Sequence, residues 1–325
     1  MHEMDHHQAT NRWRHLPFKL LAALLMIGGS LVATSATAGA APGNLADIDV
    51  KGIGNDVYVV GALTSGGTIQ AEVVACYYEN CQKHGWKSFG SGFKSVIVEY
   101  IGYGRPVLIG RRTNGATWFK RGNCSGVTCS WNSWYSMGGS VTTIAADTSY
   151  SCAQLAGRSS TGSVFKAEIC SDSFKRWSYT GGKLSQIATS SSSIFGTSPS
   201  GSLWWFDGNS WSGAGGRVTQ PALHVGDSDE LCGLAGQGRN LWCFDQYTYQ
   251  WSNYGGYWRK LDDGKTVGVS KHWGAWAHNY RDAVSFGGQV NEVAWNDYLM
   301  VGVGAAYKPW YQNTYNEGGN GWRAL

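Results

Sequence analysis

The chain has 325 residues, with 46 Gly, 17 Trp and 17 Tyr but only 6 Pro and 15% charged side chains, which suits many short strands joined by tight turns and excludes a disordered chain. The formal charge is only +4, and no basic stretch is interleaved with aromatics, so a nucleic-acid partner is not expected.

Residues 1–40 read as an export signal. Arg12, Arg14 and Lys19 precede an apolar run from Leu20 to Ala33, and the small residues Ala36, Ala38 and Ala40 follow, with cleavage expected after Ala38 or Ala40. The run falls short of the roughly 20 residues a membrane span needs, so no stable membrane insertion is expected. The mature protein is expected to be secreted, or retained in a periplasm.

Residues 41–325 carry a repeat, whose mark is an aromatic followed by a glycine pair. It stands at Trp134-Tyr-Ser-Met-Gly138-Gly139, Trp177-Ser-Tyr-Thr-Gly181-Gly182, Trp211-Ser-Gly-Ala-Gly215-Gly216 and Trp251-Ser-Asn-Tyr-Gly255-Gly256, with looser copies at Trp86-Lys-Ser-Phe-Gly90-Ser-Gly92 and Phe286-Gly287-Gly288. The first glycines are 48, 43, 34, 40 and 32 residues apart and 38 residues follow the last, which makes seven units ending near 92, 139, 182, 216, 256, 288 and 325. Each unit reads as four strands; in the second they are Val96–Ile101, Val107–Arg111, Ala116–Lys120 and Trp131–Met137. Asn114-Gly115 reads as a two-residue hairpin turn, with Gly162 and Gly201 in the same place in later units. A four-stranded sheet cannot bury both faces alone, whereas sheets repeated around an axis can, so the expected fold is all-β: a seven-bladed β-propeller of four-stranded antiparallel blades. The sixth unit is short and its third strand is hard to find.

All eight cysteines follow the export signal, in four close pairs, and an even count in an exported chain points to disulfides. Cys152–Cys170 and Cys232–Cys243 would join the second and third strands of a blade. Cys76–Cys81 and Cys124–Cys129 would staple the loop leading into the fourth. The chain lacks a CxxC and only His84 lies near any pair, so zinc is the weaker reading. No phosphate loop, Gly-x-Ser-x-Gly elbow or metal-ligand motif appears, and no cofactor is expected.

The run Trp131-Asn-Ser-Trp134-Tyr-Ser-Met-Gly138-Gly139 and the passage Gly-Gly-Arg-Val-Thr-Gln-Pro-Ala from Gly215 to Ala222 resemble the seven-bladed bacterial propeller lectins of the Photorhabdus type, and more distantly the tectonin propellers. The resemblance covers residues 45–325 and is carried by the second to fifth units. It implies glycan partners, with fucose or O-methylated sugars held in clefts between neighbouring blades. The added disulfides and irregular unit lengths depart from that family.

An indole stacked on the flat C–H face of a sugar removes apolar area from water while polar neighbours take the hydroxyls. Most Trp in a propeller pack between blades, so the candidates are places where aromatics crowd. Trp204 and Trp205 point to opposite faces of one strand; Trp118, Trp242 and Trp310 are the matching positions elsewhere, with Arg121, Asp207, Asn209, Asp245 and Arg259 as polar partners. A rival reading is a polysaccharide lyase or glycosidase. Its carboxylates would come from Asp227, Asp229 and Glu230 or from Asp262 and Asp263, which read as solvated loop acids. Its base would come from the His272 and His278 pair flanking Trp273 and Trp276, the remaining histidines being His84 and His224. A third reading is a protein-binding adhesin or toxin component.

Overall fold

The computed structural model describes residues 43–325 apart from 55, 78–79, 150, 224–229, 238, 263–266, 271–273, 279–282, 297–298, 305–306 and 314–321. The export-signal segment lies outside the described residues. What is described is seven antiparallel sheets, each built from consecutive strands and ordered first to fourth. The first strand of each sheet packs on the first strand of the next, and that of sheet one also on sheet seven, so the sheets close a ring as the blades of a seven-bladed β-propeller.

Alternation along a strand sends successive side chains to opposite faces. In a blade both faces are interfaces, so the second strands are largely buried, most fully in Val57–Thr64, Ile194–Thr197 and Leu299–Gly304. In the strand Val57–Thr64, Tyr58, Val60 and Ala62 pack toward blade seven, whereas Val57, Val59 and Leu63 pack toward blade two. The described core accordingly comprises seven clusters, one at each blade interface. Fourth strands face solvent, as the mostly exposed Phe174–Lys183 shows. Ring closure uses packing of blade seven on blade one together with Leu45 N–H donating to Tyr307 O at 2.8 Å.

The strands of the sixth unit are Trp258–Asp262, Val267–Ser270, Ala275–His278 and Ala283–Gly287, so the elusive third strand is present and four residues long. Two local expectations are corrected. Gly115 N–H donates to Arg112 O at 3.0 Å and Arg112 N–H to Ala116 O at 2.9 Å, which closes a three-residue loop, Thr113-Asn114-Gly115. A two-residue type I′ turn needs positive φ at both central residues; here Gly115 has φ +84 while Asn114 stays out of the left-handed region, leaving a type I turn followed by a glycine bulge. Ser159–Ser163 and Ser198–Ser202 are closed by the same hydrogen bonds. The expected fourth strand Trp131–Met137 is instead two pieces, because the third strand runs on as Thr117–Ser125 and pairs first with Thr128–Trp131, then with Tyr135–Gly138.

The four disulfides pair as expected. Cys152 faces Cys170 and Cys232 faces Cys243 across second and third strands. Cys76–Cys81 and Cys124–Cys129 bridge directly opposed residues of the hairpin that leaves the third strand.

Candidate functional site

A repeated register places one aromatic per blade at the same spot. In blades two to seven a second-strand glycine faces a third-strand ring: Gly110 and Trp118, Gly157 and Phe165, Gly196 and Trp204, Gly233 and Trp242, Gly268 and Trp276, Gly302 and Trp310. The expected Trp118, Trp204, Trp242 and Trp310 are therefore equivalent positions. Trp276 belongs to the row as well, and its signal was present in sequence: it follows Gly268 by eight residues, as Trp118 follows Gly110 and Trp204 follows Gly196.

Trp204 is 38% exposed, whereas its neighbour Trp205 is buried between blades four and five against Phe244. Trp242 packs half-buried on that same cluster; Trp118 and Trp310 stand half-buried in separate blades. Arg112 sits 4.6 Å over the Trp118 ring. Arg121 reaches blade three, where Nε donates to Cys170 O at 2.9 Å and Nη2 to Ser173 O at 2.6 Å. Asp207 and Asp245 accept backbone N–H bonds in the turns that start the fourth strands of blades four and five, Asp207 from Asn209 and Ser210, Asp245 from Tyr247 and Thr248. Those bonds favour the charged form and lower both carboxyls below the usual aspartate range, the Ser210 and Thr248 amides contributing most. Asn209 and Arg259 are exposed. Asp227, Asp229, Asp263, His224, His272 and Trp273 lie outside the described residues; Asp262 and His278 end strands of blade six. Glu230 accepts a hydrogen bond from Tyr254 Oη at 2.8 Å.

The Trp of the repeat mark works between blades. It sits two residues before the partner of the third-strand aromatic, and its indole covers the glycine pair that closes the preceding blade. A Cβ at Gly139 would lie 2.7 Å from Trp177, one at Gly216 would lie 2.5 Å from Trp251 and one at Gly288 would lie 2.6 Å from Trp322. In four of these five rings the indole N–H donates to the carbonyl just before the pair, Trp134 to Phe89, Trp211 to Thr180, Trp251 to Ala214 and Trp322 to Phe286, at 2.6–3.1 Å, whereas the buried Trp177 Nε1 has no acceptor. These rings act as keystones between neighbouring blades.

Blade six differs. A cavity of about 370 Å³ opens there, walled by Tyr257, Trp258 and Trp276, with Ser270, Ser285 and Gly256 completing much of its lining. Tyr257 is 69% exposed at its rim. None of the described residues that line it is charged. Ser270 Oγ accepts the Gly274 N–H at 3.1 Å and Ser285 Oγ the Gly287 N–H at 3.3 Å, so both hydroxyl protons are left to donate. The aromatic walls are flat and apolar, and the hydroxyls among them can donate as well as accept. Such a surface fits a neutral ligand with one C–H-rich face.

The central channel has another character. First strands of blades one to four line a space of about 230 Å³ containing Asp47, Asp49, Lys51 and Glu99. Lys51 Nζ meets Glu99 at 2.7 Å and Asp147 at 3.3 Å, and this company holds its ammonium above the ordinary lysine range despite burial. Asp47 and Asp49 cap the edge of blade two, accepting N–H bonds from Val96 at 3.1 Å and Val98 at 2.6 Å. Burial, reinforced by Glu292 and Asp49, raises the Asp47 carboxyl to about 8. The acids of this channel are spent on joining blades.

The fold and the clefts define a seven-bladed propeller with aromatic inter-blade surfaces. No family model matches the chain, and no curated protein matches it. Solved structures similar to it include AofleA from Arthrobotrys oligospora, 7% identical at TM-score 0.51 over 88% of this chain and 87% of that one. The computationally designed Ika8 protein is 12% identical at TM-score 0.51, over 88% and 89%. The SapL1 lectin in complex with alpha methyl fucoside is 12% identical at TM-score 0.47, over 87% and 96%. At these identities the likeness concerns the fold alone.

Proposed function

We propose that the protein is an exported, non-catalytic glycan-binding propeller whose third-strand indoles form the contact surface. The observation that carries this reading is the indole-walled cavity at Trp276, free of charged groups among its described lining residues, furnished with hydroxyl donors and large enough for one sugar residue. Trp204, the most exposed indole of the same register row, with Trp118, Trp242 and Trp310, extends that surface. Export agrees with four disulfides, which persist in oxidising compartments. Among the described residues no helix is long and apolar enough to cross a membrane. A glycan array probed with the purified protein tests the reading: binding is expected, and free monosaccharide should compete it away. Absence of binding to every glycan overturns it, and shortening of a polysaccharide by the pure protein replaces it with the enzyme reading.

A further inference from the structure

Charge is divided unevenly between the two faces of the ring. Antiparallel order puts the second-to-third turns and the passages between blades at one end of the strands, the upper end, and the first-to-second and third-to-fourth turns at the lower end. Residues 91–216, which span blades two to four, contain five acids, Glu99, Asp147, Glu168, Asp172 and Asp207. All five stand at the lower end, late in first or third strands or in third-to-fourth turns. The upper end of the same blades has no carboxylate and carries Lys94, Arg111, Arg112, Arg158 and Lys183.

The three arginines form a row, one to a cleft. Arg112 and Ser159 make the same pair of loop hydrogen bonds, so Arg111 and Arg158, the residues before them, are equivalent positions of blades two and three. Alternation sends Arg111 with Ile109 toward the cleft of blades two and three, and Arg158 with Ala156 toward that of blades three and four. Arg112 turns the other way, over Trp118 in the cleft of blades one and two. Packed sheets stand about 10 Å apart, so the guanidiniums recur at about that interval. None of the three makes an ion pair with a described residue, and Arg158 Nη2 has only Thr143 Oγ1 at 3.4 Å. In Arg111 and Arg112 Nε alone is both buried and unpartnered, which leaves the Nη groups facing solvent. Burial lowers the Arg111 guanidinium and Asp47 opposes it from the channel, but that carboxyl, raised to about 8, is mostly protonated at neutral pH. A third-strand ring shares the upper end of each cleft: Trp118, Phe165, and Trp204 on the face of its strand opposite to Trp205.

We propose that the upper face of blades one to four is a second binding surface, separate from the blade-six cavity, and that it takes an acidic polysaccharide whose carboxylates meet Arg112, Arg111 and Arg158 in turn. A guanidinium fork matches a planar carboxylate in two parallel hydrogen bonds, and a sugar acid carries that anion on a ring with an apolar face. Nucleic acid fits less well, because duplex DNA carries a charge about every 1.7 Å of its axis against one arginine about every 10 Å here. The surface goes beyond the neutral-glycan reading and does not depend on it. Titration calorimetry at low salt tests it with polygalacturonate, with its fully methyl-esterified form, which keeps the backbone and removes the charge, and with single-stranded DNA. The intact protein is compared with Arg111→Ala, Arg112→Ala, Arg158→Ala and Arg176→Ala, folding being checked by far-UV circular dichroism. Polygalacturonate should bind, and its ester at least about tenfold more weakly; each of the three row variants should weaken binding about tenfold, the weight of a hydrogen bond to a charged group. Arg176→Ala, which removes an exposed charge from the lower part of a fourth strand, should change it by less than about twofold. If one row variant fails to fold, the other two decide. Absence of binding, an ester that binds as tightly, or a loss in Arg176→Ala equal to that of the row variants overturns the surface. DNA that binds as tightly as polygalacturonate overturns the assignment to a polysaccharide. Neutral-sugar binding measured on the same variants should be unchanged, so failure of this surface and failure of the blade-six reading are told apart.

Discussion

Asp47 shows how a single side chain can hold the ring together and make it sensitive to pH. Its carboxyl accepts the amides of Val96 and Ile48, at 3.1 Å each, yet burial, Glu292 and Asp49 outweigh those bonds and raise it to about 8. Arg111 opposes them from nearby, its own guanidinium lowered by burial. A carboxyl whose folded pKa exceeds its unfolded value of about 3.9 binds more protons when folded. Its contribution is therefore fully present below about pH 4 and is lost as pH rises through about 8. Asp47→Asn keeps an acceptor and removes the charge. Thermal unfolding at pH 5 and pH 8 should show the variant gaining on the wild type at pH 8 by on the order of 1 kcal/mol, roughly 2–4 °C, and gaining less at pH 5. An equal shift at both values would rule this account out.

At the scale of the strand and the blade, the keystone indole carries the argument. Trp251 joins blade five to blade four by covering Gly216, whose φ of +64 and lack of a side chain both suit the approach, and by donating to Ala214 O at 3.0 Å. Trp251→Ala should cost about 2–4 kcal/mol in urea unfolding, somewhat under the range for a fully buried large aromatic because the ring is partly exposed. Trp251→Phe, which loses mainly the hydrogen bond, should cost about 1 kcal/mol; equal losses would show that packing is not the larger part. The spacing of these marks made the blades legible before any coordinates, since Trp and Gly-Gly recur wherever one blade meets the next. The turn at Asn114-Gly115 was misjudged because the same dipeptide heads either a two- or a three-residue loop, and only the hydrogen bonds of Arg112 decide. Blade six hid its third strand because Ala275–His278 is short and because Ala283 erases the landmark beside it. The cavity lies in that same blade, so the candidate site falls where the repeat is least regular. Trp205, Arg121, Asp207 and Asp245, read as ligand contacts in the linear chain, also have partners across interfaces and turns that become visible only when the strands are paired.

At the scale of the ring, each blade is a continuous run of chain, and among the described strands none is exchanged to lock the ring. Side chains around the channel supply the links instead. Asp47 and Asp49 reach blade two, Glu99 accepts from Thr148 of blade three at 2.5 Å, and Lys51 gathers Glu99 and Asp147. Gln186 accepts from Gln220 N–H at 2.7 Å, and Gln220 in turn accepts from Leu261 N–H at 2.8 Å, tying blades four, five and six. Lys260 meets Glu292 at 2.9 Å, and Asn296 accepts the Gly52 N–H at 2.7 Å, which returns the series to blade one. These residues come from separate units and share no motif, which is why the channel could not be read along the chain. Seven interfaces of similar construction, each shared by two blades, should make the ring unfold as one unit, because losing any interface exposes the faces of both its blades. Asn296→Ala tests this at the closure: it strands the Gly52 N–H and should cost about 1–3 kcal/mol. Urea unfolding followed by far-UV circular dichroism and by tryptophan fluorescence should give coincident transitions, shifted together to lower urea in the variant. Separation of the two curves in the variant would mean that the blades melt apart and that the ring derives no cooperativity from its closure.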